Sequence, residues 1–207
     1  MNTSIYTIPT LNLLLIILPV FVVIFFYMRW ALSVGTVVYA IARMTGQLLL
    51  IGYVLVFVFQ QKSVLISTGI LFFMLFVASW ISLRPLKQLR VQYYYKALLS
   101  IAIGAFPVLI LVVFGVIRLN PWYLPKYLIP LAGMIFANSM NSVSLCADRF
   151  HAEIQDGKSF EQARNHAYRT SLLPLINSFF AVGLVSLPGM MTGQILAGVS
   201  PLIAVRY

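Results

Sequence analysis

Residues 8–28, 44–59, 64–81, 97–117, 127–146 and 172–199 form six stretches that contain no Asp, Glu, Lys or Arg. A helix needs roughly 20 apolar residues to cross about 30 Å of hydrocarbon, so each stretch is a candidate membrane span. Hydrophobic residues make up 61% of the chain and charged residues 9%, which would leave a water-soluble fold almost without surface. The runs are continuously apolar and do not alternate with period two, which favours helices over a barrel. The second and third stretches are the shortest and would need snorkelling flanks or a thinned bilayer. The expected fold is therefore all-α: a polytopic helical membrane protein with about six crossings. It forms one transmembrane domain over residues 1–207, with no internal repeat, linker or second domain. The first stretch is read as a span and not as a secretion signal, because no Lys or Arg precedes it and no small-residue cleavage site follows Phe26.

The charges set an orientation. With the N-terminus outside, the inner loops hold Arg29, Arg43, Arg84, Lys87, Arg90, Lys96, Arg149, Lys158, Arg164 and Arg169, against Lys62, Arg118, Lys126 and Arg206 outside. Cytoplasmic loops carry the basic excess, so residues 147–173 are expected to form a cytoplasmic loop. All four acidic residues, Asp148, Glu153, Asp156 and Glu161, fall in this segment, which makes it the place where the chain is built to meet water and a partner. Basic loops facing anionic headgroups account for the net charge of +10 without any nucleic acid. Trp30, Trp80, Tyr93 to Tyr95, Trp122 and Tyr123 stand near the expected ends of the spans, as an interfacial aromatic belt requires.

Most chemistry is excluded. Ala152 to Ser159 satisfies a relaxed Walker A pattern, but no strand precedes it and Glu153 and Asp156 would put negative charge where phosphates should sit. An Asp156-Gly157 turn followed by a helix capped by Ser159, with Gln162 completing a capping box, explains the same residues better. Asp148, His151, Glu153 and Asp156 are of ligand type, yet they lack any recognised metal-site spacing, so the role of the cluster is left open. His166 reads as a surface helix residue. Cys146 is the single cysteine, excludes an intrachain disulfide, and reads as a small apolar filler. No G-x-S-x-G motif and no intramembrane carboxylate exist, so no catalytic residue is assigned, and a proton-coupled pump lacks its usual parts. Energy for any transport must come from elsewhere.

Two spans carry unusual content. Met134, Asn138, Asn141 and Ser142 share one helical face of the fifth, and polar groups at that depth either line a pathway or bind helices together. The sixth holds Pro174 near its start and Ser186-Leu187-Pro188-Gly189-Met190-Met191-Thr192-Gly193 in its middle. Pro188 and Gly189 predict a broken or kinked helix, which membrane depth tolerates only against protein or a water-filled cavity. Gly189 and Gly193 form a G-x-x-x-G contact motif, and Met190 and Met191 are either packing residues or soft metal ligands.

Ile129-Pro130-Leu131-Ala132-Gly133-Met134-Ile135, then Asn138 and Met140, and above all Val182 to Gly193, resemble the FetB-like family of ABC-transporter permeases; Gln47-Leu48 and Gly52-Tyr53-Val54-Leu55 are similar too. Bacterial members are linked to iron export and plant relatives to aluminium tolerance. The resemblance implies a homodimeric permease in the bacterial cytoplasmic membrane, driven by a separate cytosolic ABC subunit that binds ATP and Mg, with no cofactor in this chain. It also implies that the helix from Phe160, Glu161, Gln162 and Ala163 to Leu173 is a coupling helix docking on that ATPase, with Arg164 and Arg169 either steering the docking or serving as ordinary inside-positive charges. Ser186, Pro188, Gly189, Met190, Met191 and Gly193 would belong to the pathway or its hinge.

The chain departs from the family pattern in three ways. The segment between Cys146 and Pro174 is shorter. Asn177 and Phe180 stand where relatives have an acidic residue and a lysine. Relatives continue beyond the position of Tyr207 into one further spanning helix, which implies a shortened chain. The reading is a permease subunit exporting a metal ion or another small solute by alternating access, with a non-transporting membrane scaffold or signalling subunit that binds a cytosolic partner as the alternative. A membrane enzyme fits least.

Overall fold

The computed structural model describes residues 9, 12, 14–61 and 63–206, and among these it is helical with no strand. A 3-10 turn, Leu14–Ile16, leads into α1 (Ile17–Arg29). Then come α2 (Val34–Gln60), α3 (Val64–Ser82), α4 (Arg90–Ile110), α5 (Pro125–Gln155), α6 (Phe160–Ala181) and the short α7 (Gly189–Leu196) and α8 (Pro201–Ala204). Helices α2, α3, α4 with its π-helical continuation, and α5 are long and apolar enough to cross a membrane; α1 is a shorter apolar helix. The chain is thus a polytopic all-α membrane protein. Residues 8, 10, 11 and 13 of the expected first span, and Lys62 and Tyr207, lie outside the described residues.

Several expected spans change length. The second is no short helix: it gains residues 34–43 at its start, so α2 at 27 residues needs no thin bilayer. Arg43, the tenth residue of the helix, is the single charge in that extension, and its long side chain can snorkel toward the interface. The fourth starts at Arg90 and passes after Pro107 into a π-helical segment, Leu111–Val116. Pro107 lacks the N–H that an α-helix would use, and a π-turn is a common way to accommodate such a fault.

The chain divides into two compact units. One spans residues 55–180 and is built on a three-helix core of α3, α4 and α5. Buried positions on α4, Ala97, Ile101, Ala105 and Leu109, recur every fourth residue and give one continuous contact stripe. Facing residues are small or branched: Ser67, Leu71, Leu75, Ala78, Ser79 and Ser82 on α3, with Leu128, Leu131, Ala132 and Phe136 among those on α5. Lipid tails are as apolar as leucine, so close van der Waals packing across small residues, and not exclusion of water, holds such helices together. Phe106 ties the three helices, its ring centroid 5.9 Å from both Phe72 and Phe136. The buried serines stay satisfied: Ser79 donates to the carbonyl of Leu75 and Ser82 to that of Ser79 at 2.8 Å, while Ser67 donates to the Tyr123 carbonyl ahead of α5.

The other unit comprises residues up to 54 and from 181 onward, including α1, most of α2, α7 and α8. The expected sixth crossing over 172–199 does not form one helix. Helix α6 ends at Ala181, and Pro188 caps the next helix in place of kinking a continuous one. Its apolar part, residues 172–181, would rise about 15 Å, half the hydrocarbon thickness. Pro174, expected near the start of that span, lies well inside α6.

Candidate functional site

The expected loop over 147–173 is a helical hairpin. With 31 residues, α5 is about 46 Å long, which exceeds the membrane core and carries its last turns past Cys146 out of the bilayer. The turn reduces to residues 156–159, and α6 begins at Phe160. Charged side chains do not prevent helix formation once the backbone has left the bilayer, which is why the low hydropathy of this segment misled the boundary. Gly157 sits at φ 79°, a left-handed conformation that lets the chain reverse and that a side chain would strain. Ser159 and Gln162 then form the expected capping box: the Ser159 N–H donates to Oε1 of Gln162 and the Gln162 N–H to Oγ of Ser159, both at 3.3 Å.

Glu153 fastens the hairpin. It is 1% exposed and forms ion pairs with Arg149 one turn earlier on α5 (2.5 Å) and with Lys158 in the turn, while Nδ1 of His166 on α6 lies 3.2 Å away. The bond from Lys158, helped by His166 and the charge of Arg149 and opposed by desolvation, holds its carboxyl down at about 2. Glu153 is therefore a structural anion, set between the cations of Arg149 and Lys158 and the imidazole of His166. Among the described residues no cluster of His, Cys, Asp and Glu is arranged to hold a metal ion, and Asp148, His151 and Asp156 are not brought onto Glu153. The sequence carried one signal for this arrangement, the Arg149–Glu153 spacing of one helical turn; nothing in it showed that His166 would come within reach. A ring contact between Phe150 and Phe160, centroids 5.5 Å apart, completes the clasp.

Beyond the clasp, α6 shows two faces. Ala163, Ala167 and Ser171 are buried at helical spacing, whereas Phe160, Glu161, Gln162, Arg164 and Arg169 are exposed. Ala163 therefore does not share the open face of the neighbours it was grouped with. Arg164 lies 3.8 Å from Glu161 and also donates to Asn165; with Asn165, Tyr168 and Arg169 it borders a shallow open groove.

At the far end of α6 the chain turns back on itself. Gly183, at φ 85°, donates to the Ser186 carbonyl (2.8 Å), and the N–H groups of Val185 and Ser186 converge on the Ala181 carbonyl. Pro188 then leads into α7, whose Thr192 donates through both N–H and Oγ to the Pro188 carbonyl. Met190 and Met191 are half-buried on this short helix, and Ser186, Gly189 and Gly193 are exposed. On α5, Met134, Asn138 and Asn141 are also exposed, away from the core face of Leu128, Leu131, Ala132 and Phe136; Ser142 is half-buried. Membrane-depth amides left off the packed face must be covered by protein or face water.

The profile of an uncharacterised protein family, UPF0014, matches residues 10–207. The chain belongs to that family. UPF0014 relatives include the "UPF0014 membrane protein slr1647" of Synechocystis, 36% identical over 84% of this chain and 73% of the relative. The protein named "Probable iron export permease protein FetB" of Escherichia coli is 32% identical over 100% of this chain and 84% of its own length. "Protein ALUMINUM SENSITIVE 3" of Arabidopsis thaliana is 30% identical over 83% and 67% respectively. No solved structure matches the chain.

Proposed function

We propose that this UPF0014 chain is the membrane-spanning permease subunit of an ATP-driven transporter in the bacterial cytoplasmic membrane. It would work as a homodimer, moving a metal ion such as iron, or another small solute, outward by alternating access. ATP and Mg would bind to a separate cytosolic ABC subunit, and this chain would carry no catalytic residue. One observation carries the reading: α6 is a single helix from the capped, exposed turn at Phe160 to the backbone break at Ala181.

A partner that pushes on Phe160, Glu161 and Arg164 would push a rod tied to α5 by the Glu153 clasp. The motion would emerge at the Gly183–Pro188 turn, where the backbone is already reversed and cheap to bend. Pro174 removes the N–H that would bond the Thr170 carbonyl and gives the rod one weak point. Asn138, Asn141 and Ser142, with Met134 on the same helical face, would supply the polar groups a pathway needs. The FetB name supports export of iron as the first cargo to test.

The test is to tag the full chain, extract it gently from native membranes, identify what comes with it and assay the complex for ATP hydrolysis with candidate metals. A co-purifying ATPase stimulated by one metal is the expected result. A chain that emerges alone, or with a partner that hydrolyses no ATP, would refute the permease reading in favour of a membrane scaffold.

A further inference from the structure

A cavity of about 560 Å³ lies in the 55–180 unit, where the loop after α3, the first turns of α4, the end of α5 and the middle of α6 meet. That volume is within the usual range for a small-molecule site, roughly 300–1,000 Å³. Its floor is the apolar cluster of Leu83, Leu86 and Ala97 with Val143 and Ala147 packed against it. Its polar side chains are Ser100, Ser142 and Ser171, Tyr93 and Tyr168, Cys146, His151, and Lys96, whose ammonium stands 5.1 Å over the Tyr93 ring. No carboxylate lines the cavity, and among the described residues no ion pair includes Lys96. Arg84 and Lys87 flank the two floor leucines in the chain and add to the positive field.

The depth is marked by the aromatic belt. Arg90 lies 3.9 Å over the Trp80 ring and donates to its carbonyl, and Trp80 packs edge-on against Tyr94. A cavity with apolar walls and a basic rim at the headgroup level meets lipid before it meets any solute. Lys96 would repel a free metal cation, so this space does not suit the proposed cargo. We infer that the cavity binds an anionic phospholipid, with the phosphate on Lys96 and one acyl chain laid over Leu83, Leu86 and Val143. A lipid seated there touches α5 and α6 together through Phe150 and Leu172, below the Glu153 clasp.

Cys146 lines the cavity and is the single cysteine, so its alkylation reports occupancy without added probes. The full chain is placed in nanodiscs of phosphatidylcholine, with or without phosphatidylglycerol, and the rate of N-ethylmaleimide labelling is measured. Phosphatidylglycerol should slow labelling about fivefold, the equivalent of one lysine–headgroup contact. Lys96→Gln should erase the difference and Lys96→Arg retain it. Equal rates in the two lipids would overturn the proposal, including slow labelling in both because a second copy covers the cavity. So would protection by inorganic phosphate in phosphatidylcholine discs, which would make the site one for a free anion.

Discussion

Ser159→Ala tests whether the first turn of α6 is the docking element. The substitution deletes the bond from the Gln162 N–H and leaves the Gln162 amide to close the box alone. Both bonds measure 3.3 Å, the long end of the useful range, so the loss belongs in the lower half of the N-cap scale, about 0.5–1 kcal/mol. That multiplies the frayed-to-ordered ratio of the turn by about 2–5. Terminal turns open at close to zero free energy, so a turn starting half-ordered would lose affinity for a partner by about 1.5–3-fold. The assay is titration of the purified ATPase subunit onto the permease in nanodiscs, with amide exchange at 160–163 measured in parallel. Ser159→Asp should restore both readouts, since Asp caps as well as Ser and adds charge at the helix N-terminus. Faster exchange with unchanged affinity would refute docking through this turn, and unchanged exchange would refute the cap itself.

Replacing Glu161 and Arg164 together with Gln should weaken ATPase association and transport in parallel while leaving thermal stability nearly unchanged, because their exposed 3.8 Å pair is worth little by itself; transport that persists after association is lost would remove them from coupling. The Glu153 clasp predicts a pH window. Its carboxyl is lowered from 4.5 to about 2, so its contribution is complete above 4.5 and lost as pH falls from there towards 2. Thermal unfolding should accordingly drop through that interval, more steeply than in Glu153→Gln, and parallel curves would contradict the assignment. Pro188→Ala should leave ATPase binding intact and impair transport, and unchanged transport would clear Pro188 of any role. Gly183→Ala should destabilise the turn by roughly 1–2 kcal/mol, since φ 85° is left-handed, and equal melting temperatures would show that the turn relaxes freely.

Apolar run length found the membrane class and the helices α3, α4 and α5 nearly in place, because a bilayer leaves a long uncharged segment no other stable state. Hydropathy failed where helix and membrane stop coinciding. Residues 147–155 continue α5 beyond its expected span, and α2 begins ten residues before its own; the helix from Phe160 was expected from its cap and not from hydropathy. The capping box was legible because Ser159 and Gln162 act within one turn. The Glu153 clasp was not, because His166 reaches it only after the hairpin closes.

By itself the sequence determined that this chain is an all-α membrane protein, that its acidic residues gather in one segment, and that Pro188 and Gly189 break or kink the last span. These are local consequences of burial cost, charge and backbone chemistry. Only the tertiary structure decided that the acidic segment is a clasped hairpin and that α6 runs unbroken from the capped turn to the Ala181 break. It also decided that Lys96 and Cys146 share one cavity. Each of these depends on bringing distant residues within a few ångströms, which no periodicity along the chain encodes.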